Sequence, residues 1–208
     1  MLETADYGIE IRDLPPYEDG RIDPRGWFTM PKEPLEIEIG SGKGTFLVQQ
    51  APLTPEVNYL GIEWAGEFYR HAADRIRRRG IDNARILRSD AAEFLRYYCA
   101  DAVTRAVHVY FSDPWPKRRH HKRRVVQDRT LLELHRVLEP EGVVHLVTDH
   151  ADLWSWYEQY AERHRDRFVR QTFVASASAK EGEVVGTNFE RKYRREGRPF
   201  HGMTLLRL

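Results

Sequence analysis

The amino-acid sequence predicts an α/β fold, a doubly wound and mostly parallel sheet in one domain, and three observations carry that expectation. Short apolar strands alternate with amphipathic helical stretches from residue 35 to residue 163, a pattern that places helices on both faces of a parallel sheet. A glycine-rich turn, Gly40-Ser41-Gly42-Lys43-Gly44, joins the first strand to the first helix, at the end of the sheet where such folds bind ligands. The length of 208 residues suits a single domain with its own core.

The elements follow in order. Leu35–Ile39 (LEIEI) alternates apolar and acidic residues and stops at Gly40, as a strand does. A helix over 44–51 ends at Pro52. Residues 57–63 make the second strand, and a helix over 65–79 closes at Gly80, where a C-terminal glycine is expected. The third strand, 84–87, leads to Asp90 and a helix near 91–98; the fourth, 106–111, enters a basic loop. Helical spacing over 125–138 ends at Pro140 and Gly142, and 143–148 form the fifth strand before Asp149. In the helix over 152–163, Leu153, Trp156, Tyr157 and Tyr160 share one face, which core packing explains. From 168 the pattern turns β-rich, at 168–175 and 204–208, around a loop at 176–186. Residues 35–208 thus form the expected domain, preceded by an acidic segment, 1–34, whose role the sequence leaves open.

Composition excludes several classes. A single cysteine forms no internal disulfide and no Cys-rich zinc site, so a cytoplasmic protein without structural zinc is expected, and Cys99 reads as core filling. No apolar run approaches a membrane span, and the opening Met1-Leu2-Glu3-Thr4-Ala5-Asp6 lacks the parts of a signal peptide. The formal charge of +1 hides a partition: residues 1–38 hold ten acids and four bases, a local net of −6. The compensating bases cluster. Residues 117–124, KRRHHKRR, carry six positive charges and no acid, and residues 191–198 carry five against one. Like charges at that density call for a polyanion, whereas Arg75, Arg77, Arg78 and Arg79 suit the carboxyl end of a helix.

Three readings compete for the glycine loop. The NAD pattern G-x-G-x-x-G fails because the third glycine comes one residue early. A phosphate loop fails because Ile37 stands where its first glycine belongs and Glu38 would meet phosphate. The pattern E/D-x-G-x-G-x-G of class I S-adenosylmethionine-dependent methyltransferases matches Glu38 through Gly44 fully. That cofactor carries an ammonium and a sulfonium, which nearby carboxylates favour. Glu63, ending the next strand, suits a ribose diol. Asp90 suits an adenine amino group or, equally, the N-cap of the helix at Ala91.

After the fourth strand comes Phe111-Ser112-Asp113-Pro114-Trp115-Pro116-Lys117, stiffened by two prolines and running into the basic stretch. With the glycine loop, Gly61-Ile62-Glu63, Ser89-Asp90-Ala91, Thr148-Asp149 and Thr187-Asn188-Phe189-Glu190, this loop makes residues 35–203 resemble the bacterial tRNA (guanine-N7)-methyltransferase family, whose signature is F-P-D-P-W-P-K followed by basic residues. Ser112 stands where that family has proline. The resemblance implies a Rossmann-like class I domain with an antiparallel C-terminal strand, S-adenosylmethionine as cofactor and tRNA as partner, with no metal and no membrane. It further implies cofactor contacts from Glu38, Gly40, Gly42, Gly44, Glu63, Trp64, Asp90, Ala91 and Asp113. Guanosine contacts would come from Lys117, Asp149, Thr187, Asn188, Phe189 and Glu190, and RNA contacts from Arg118, Arg119, His121, Lys122, Arg123 and Arg124. Asp113 would be catalytic. Capping of the next helix is the lesser alternative for Asp149, and monomer and homodimer are both compatible with the sequence.

Guanine N7 has an in-plane lone pair and no proton, so its methylation needs alignment and electrostatics rather than a general base. Two rivals differ in the residues they require. A base-amino methyltransferase carries [D/N/S]-P-P-[Y/F/W], but Trp115 follows Asp113-Pro114. A non-catalytic RNA-binding protein needs neither Glu63 nor Asp90.

Overall fold

In the computed structural model, which describes residues 7–208, eight strands form one sheet: β1 (Gly8–Glu10), β2 (Leu35–Ile39), β3 (Asn58–Glu63), β4 (Ala84–Arg88), β5 (Thr104–Tyr110), β6 (Leu138–Thr148), β7 (Phe168–Thr172) and β8 (His201–Arg207). Across the sheet they run β1-β4-β3-β2-β5-β6-β8-β7. β1 to β6 pair in parallel, whereas β8 is antiparallel to both its neighbours, β6 and the edge strand β7. The expected doubly wound sheet with an antiparallel strand near the C-terminus is therefore the fold observed. Strand order reverses between β2 and β5, the switch point beside which such sheets bind ligands. The expectation about a leader falls on residues 1–6 and lies outside the described residues.

Helices α1 (Thr45–Gln50), α2 (Gly66–Arg78), α3 (Ala91–Glu93), α4 (Asp128–Val137), α5 (Ala151–Arg163) and α6 (Asn188–Arg195) connect the strands, with α3 passing into a π turn at Phe94–Tyr98. Two apolar layers result. Ile37, Phe94, Val107, Leu131, Leu153 and Tyr157 pack in one, and Phe46, Tyr59, Tyr69, Ile76, Ile86 and Val147 in the other. Cys99 is fully buried in the first, and burial pushes its thiol up to about 12, so it is inert filling. No helix among the described residues is long and apolar enough to cross a membrane.

The alternation in β2 has an unexpected meaning. Alternating polarity usually marks a strand with one face in water, yet all five residues of β2 are buried. The acidic face is covered too: Glu36 receives hydrogen bonds from His108 at 2.8 Å and from Arg105 at 2.9 Å. Burial alone would raise the Glu36 carboxyl, but these partners hold it down to about 2.

Residues 7–34 are not detached from the sheet. β1 pairs with the outer edge of β4, Ile22 bridges to Cys99, and Phe28 enters the core at 5% exposure. The three-residue β1 is too short for periodicity to reveal, and α6 lies in a charged run with no apolar stripe. The Thr187-x-x-Glu190 spacing, a capping-box signature, is the signal that could have found α6. β6 begins at Leu138 rather than 143 because Leu138 already pairs with Thr104, before a register shift that accommodates Pro140 and Gly142.

Candidate active site

The glycine loop takes the form that its sequence requires. Gly40, Gly42 and Gly44 have φ of 77°, 54° and 68°, the left-handed region that side chains disfavour. Gly44 is also crowded, since a Cβ there would lie 2.9 Å from that of Ala72 on α2. A Cβ on Gly40 or Gly42 would meet nothing within 4 Å, so the loop's outer edge is open. The loop rests on β3, with the Gly40 and Ser41 amides both donating to Ile62 O at 2.9 and 3.2 Å. Gly61 makes that rest possible: a Cβ there would lie 2.5 Å from Ser41 Oγ and 2.7 Å from Ile86 Cδ1. Gly61→Ala is therefore expected to destabilise the fold by about 2 kcal/mol or more through overpacking, read as a lowered urea midpoint at unchanged slope.

Two carboxylates sit behind this loop. Glu63, 9% exposed, accepts from Gly42 N at 2.8 Å and Ala65 N at 2.7 Å, one bond per oxygen. It ties the loop to the end of β3, and each oxygen retains a further acceptor site for a hydroxyl donor. Glu38 is 5% exposed, and its Oε2 has no partner among the described residues. Burial pushes its carboxyl up to about 8, with the Ser41 hydroxyl opposing and the nearby Glu63 charge adding to the rise. A buried, half-satisfied carboxyl beside an open loop fits a cationic ligand group.

Beyond β3 and β4 lies an open cleft of about 570 Å³, lined by Trp64, Ser89 and Asp90 together with Glu10, Ile11 and Arg88. Trp64 is 71% exposed. Asp90 Oδ1 accepts from Glu93 N at 3.1 Å, so Asp90 does cap α3, which begins at Ala91. Residues 10 and 11 were not legible as part of this wall, because only the pairing of β1 with β4 brings them there.

The Asp113 loop emerges from β5, next to β2 across the switch point, with Ile39 paired to Val109. Asp113 and Lys117 are exposed, and neither has a side-chain partner among the described residues. Phe111 and Trp115 have φ of 51° and 44°, uncommon outside glycine. Arg118, Arg119, Lys122 and Arg123 are exposed, with the Arg123 guanidinium 4.8 Å from the Trp115 ring centre.

Several residues expected to face the substrate are turned inward. Arg124 is 2% exposed and bonds Pro114 O, so it is no surface phosphate contact. His121 is half-buried with its ring edge-on to Trp156 at 5.3 Å. Glu190 is fully buried and accepts from the amides of Val185 and Gly186, both at 2.8 Å, so it shapes the loop before α6 rather than meeting a guanosine. Thr187, 7% exposed, caps α6. Phe189 is 54% exposed, and the Asn188 side chain lies outside the described residues. The basic run 191–198 is largely spent on internal bracing: Arg191 pairs with Glu183, Arg194 with Glu190, and Arg198 with Asp149 at 2.8 Å. Asp149 thus holds an arginine and does not cap α5, whose N-cap is His150. The shared cause is that charge counts cannot distinguish a solvated cation from one that braces a loop.

Comparison with known proteins adds the following. The family described as "Putative methyltransferase" matches residues 32–203. A tRNA (guanine-N(7)-)-methyltransferase of Halorhodospira halophila is 35% identical over 194 residues, covering 92% of this chain and 81% of that protein. One of Corynebacterium diphtheriae is 38% identical over 155 residues, covering 74% of this chain and 60% of that protein, so the chain spans about three-fifths of this longer relative. Among solved structures, the aminoglycoside resistance methyltransferase NpmB1 superposes with a TM-score of 0.59 at 18% identity, covering 84% of this chain and 87% of that one, a likeness of fold.

Proposed function

Because the chain belongs to the tRNA (guanine-N7)-methyltransferase family, we propose that it transfers a methyl group from S-adenosylmethionine to N7 of a guanosine in tRNA, at position 46 of the variable loop. The observation that carries this reading is a juxtaposition at the switch point. Glu38, with an unpartnered carboxyl oxygen, lies near the end of β2 and the glycine loop follows it, while the unpaired Asp113 and an exposed cationic strip follow β5. A tRNA substrate places the enzyme in the cytoplasm.

The cofactor supplies a methyl group made electrophilic by its sulfonium. Glu38 would hold its ammonium, Glu63 its ribose hydroxyls through the remaining acceptor sites, and Trp64, Asp90 and Ala91 its adenine. Guanine N7 attacks with its own lone pair, so the protein's work is to align the two reactants and to meet the charge that develops. Asp113, carrying no internal partner, is the carboxylate best placed to stabilise the ring as it becomes cationic. Asp149, neutralised by Arg198, is the weaker candidate for that role and acts as a guanine acceptor at N1–H and N2–H. Lys117 donates to guanine O6 or to a phosphate.

Glu38 makes cofactor affinity pH-dependent. With its carboxyl at about 8 in the unliganded protein, the group is mostly protonated at neutral pH, and an ammonium partner favours the ionised form. Binding therefore releases a proton, and affinity rises as pH increases from 6 to 8, by at most about tenfold per unit. Stability of the unliganded protein runs the opposite way: the folded state binds more protons than the unfolded one between about 4.5 and about 8, so this group's contribution weakens as pH rises through that window. Calorimetric titration with S-adenosylmethionine in buffers of different ionisation enthalpy reads the released proton, and Glu38→Gln is expected to remove it.

The deciding experiment is methylation of bulk tRNA with labelled cofactor and mapping of the product. Formation of 7-methylguanosine, with borohydride/aniline scission at the variable loop, is the expected result. N6-Methyladenosine would instead indicate a base-amino enzyme. Neither methylation nor cofactor binding would indicate a non-catalytic RNA-binding protein.

A further inference from the structure

The last residue of the basic run parts company with its neighbours. Arg118, Arg119, Lys122 and Arg123 are exposed, while Arg124 is 2% exposed beneath the Asp113 loop. A guanidinium is buried at a cost unless its donors are used. Arg124 Nε donates to Pro114 O at 2.9 Å and its Nη2 pairs with Asp152 of α5, while its Nη1 has no partner among the described residues and the cation stands 4.7 Å from the Trp156 ring centre. Trp156 is fixed in turn, its indole N–H donating to Val126 O at 2.7 Å. A second anchor from α5 meets the other side of the loop, where the hydroxyls of Tyr157 and Ser112 lie 2.9 Å apart.

Asp113 lies between these anchors. The left-handed backbone at Phe111 and Trp115 persists only where the surroundings enforce it. At position 112, a hydrogen bond to α5 does the stiffening that a proline ring would otherwise do. We propose that Arg124 is a positioning residue for methyl transfer: with Asp152, Trp156 and Tyr157 it holds the Asp113–Trp115 loop at the mouth of the site, and it touches no phosphate. This inference rests on the function proposed above.

The test sets Arg124→Ala, Arg124→Lys and Asp152→Asn beside Arg119→Ala, an exposed cation. Arg124→Ala is expected to lower kcat about a hundredfold by misplacing Asp113, with KM for tRNA within about threefold and the slope of log affinity against log salt unchanged. Arg119→Ala is expected to make that slope shallower by about 0.7–0.9. Lysine lacks the planar fork that serves Pro114 and Asp152 together, so Arg124→Lys should rescue little. Asp152 is 57% exposed, so Asp152→Asn leaves a folded protein even if Arg124→Ala does not, and it should lower kcat at unchanged slope. Hydrogen exchange at the amides of Ser112, Asp113, Trp115 and Lys117, expected to quicken in Arg124→Lys and Asp152→Asn, needs no substrate. It decides the positioning role even if tRNA proves not to be methylated. A shallower salt slope with wild-type kcat in the Arg124 variants, or unchanged loop exchange, would overturn the proposal.

Discussion

Asp113→Ala is expected to lower kcat for tRNA methylation by about 10²–10³-fold, the scale on which one preorganised electrostatic group contributes to a transition state. Its effect on tRNA affinity should stay within about threefold, because the side chain braces nothing: Asp113 is exposed and has no side-chain partner among the described residues. The contrast with Asp149 sharpens the expectation. Asp149 is 11% exposed and bound to Arg198, so its removal also frees a cation and loosens the turn after α6. The variant Asp113→Asn separates two ways of acting. If charge on the methylated ring is what matters, Asn should be nearly as damaging as Ala; if a hydrogen bond suffices, Asn should restore most of the rate. Single-turnover measurements at saturating tRNA isolate the chemical step, and near-wild-type turnover of Asp113→Ala would remove Asp113 from the mechanism.

The affinity for tRNA is expected to fall by a few hundredfold between 50 and 200 mM salt, an estimate that follows from counting about five free cations at about 0.7–0.9 counterions each. The five are Lys117, Arg118, Arg119, Lys122 and Arg123, all exposed on the strip after the Asp113 loop. The expectation is smaller than the raw charge of the sequence would suggest, since Arg124, Arg191, Arg194 and Arg198 are engaged within the protein. Fluorescence anisotropy with labelled tRNA across that salt range measures the slope. A slope near zero would remove the strip as a phosphate-binding surface, and a steeper slope would mean that further cations meet phosphates, first the exposed Lys192 and Arg195, which have no ion pair among the described residues, and then the internally paired arginines.

How far the sequence could be read depended on what each signal encodes. Strand and helix alternation encodes burial, so seven of the eight strands and the parallel sheet were legible from it. Local backbone demand is legible as well: Gly40, Gly42 and Gly44 stand where φ is positive, and Gly80 closes α2 at φ 59°. The surroundings of the acidic face of β2 were not legible, because polar residues on alternate positions look the same whether they meet water or, as with Glu36, the buried His108 and the Arg105 guanidinium. The geometry of the candidate site was legible where it follows the chain locally, as in the positive φ of the glycine loop and the exposure of Asp113 after β5. It was not legible where a residue's role depends on a partner distant in sequence. Thr187 and Glu190 spend their side chains organising the loop and helix around them; the capping-box spacing hints at the helix cap, but the bonds from Glu190 to the amides of Val185 and Gly186 appear only in the folded chain.

By itself, then, the sequence determined the fold class and the chemical character of the chain around the ends of β2 and β5, one rich in carboxylates and one cationic. These properties are set by residue order along single strands and turns, where hydrophobic period, glycine position and charge act over a few residues. Tertiary structure alone decided which charges are available. It sealed Arg124 beneath the loop, tied Asp149 to Arg198 and left Glu38 with an unpartnered oxygen. The physical reason is that the state of an ionisable group depends on its solvation and on the charges within a few ångströms, and those neighbours come from strands and helices that only the completed sheet brings together.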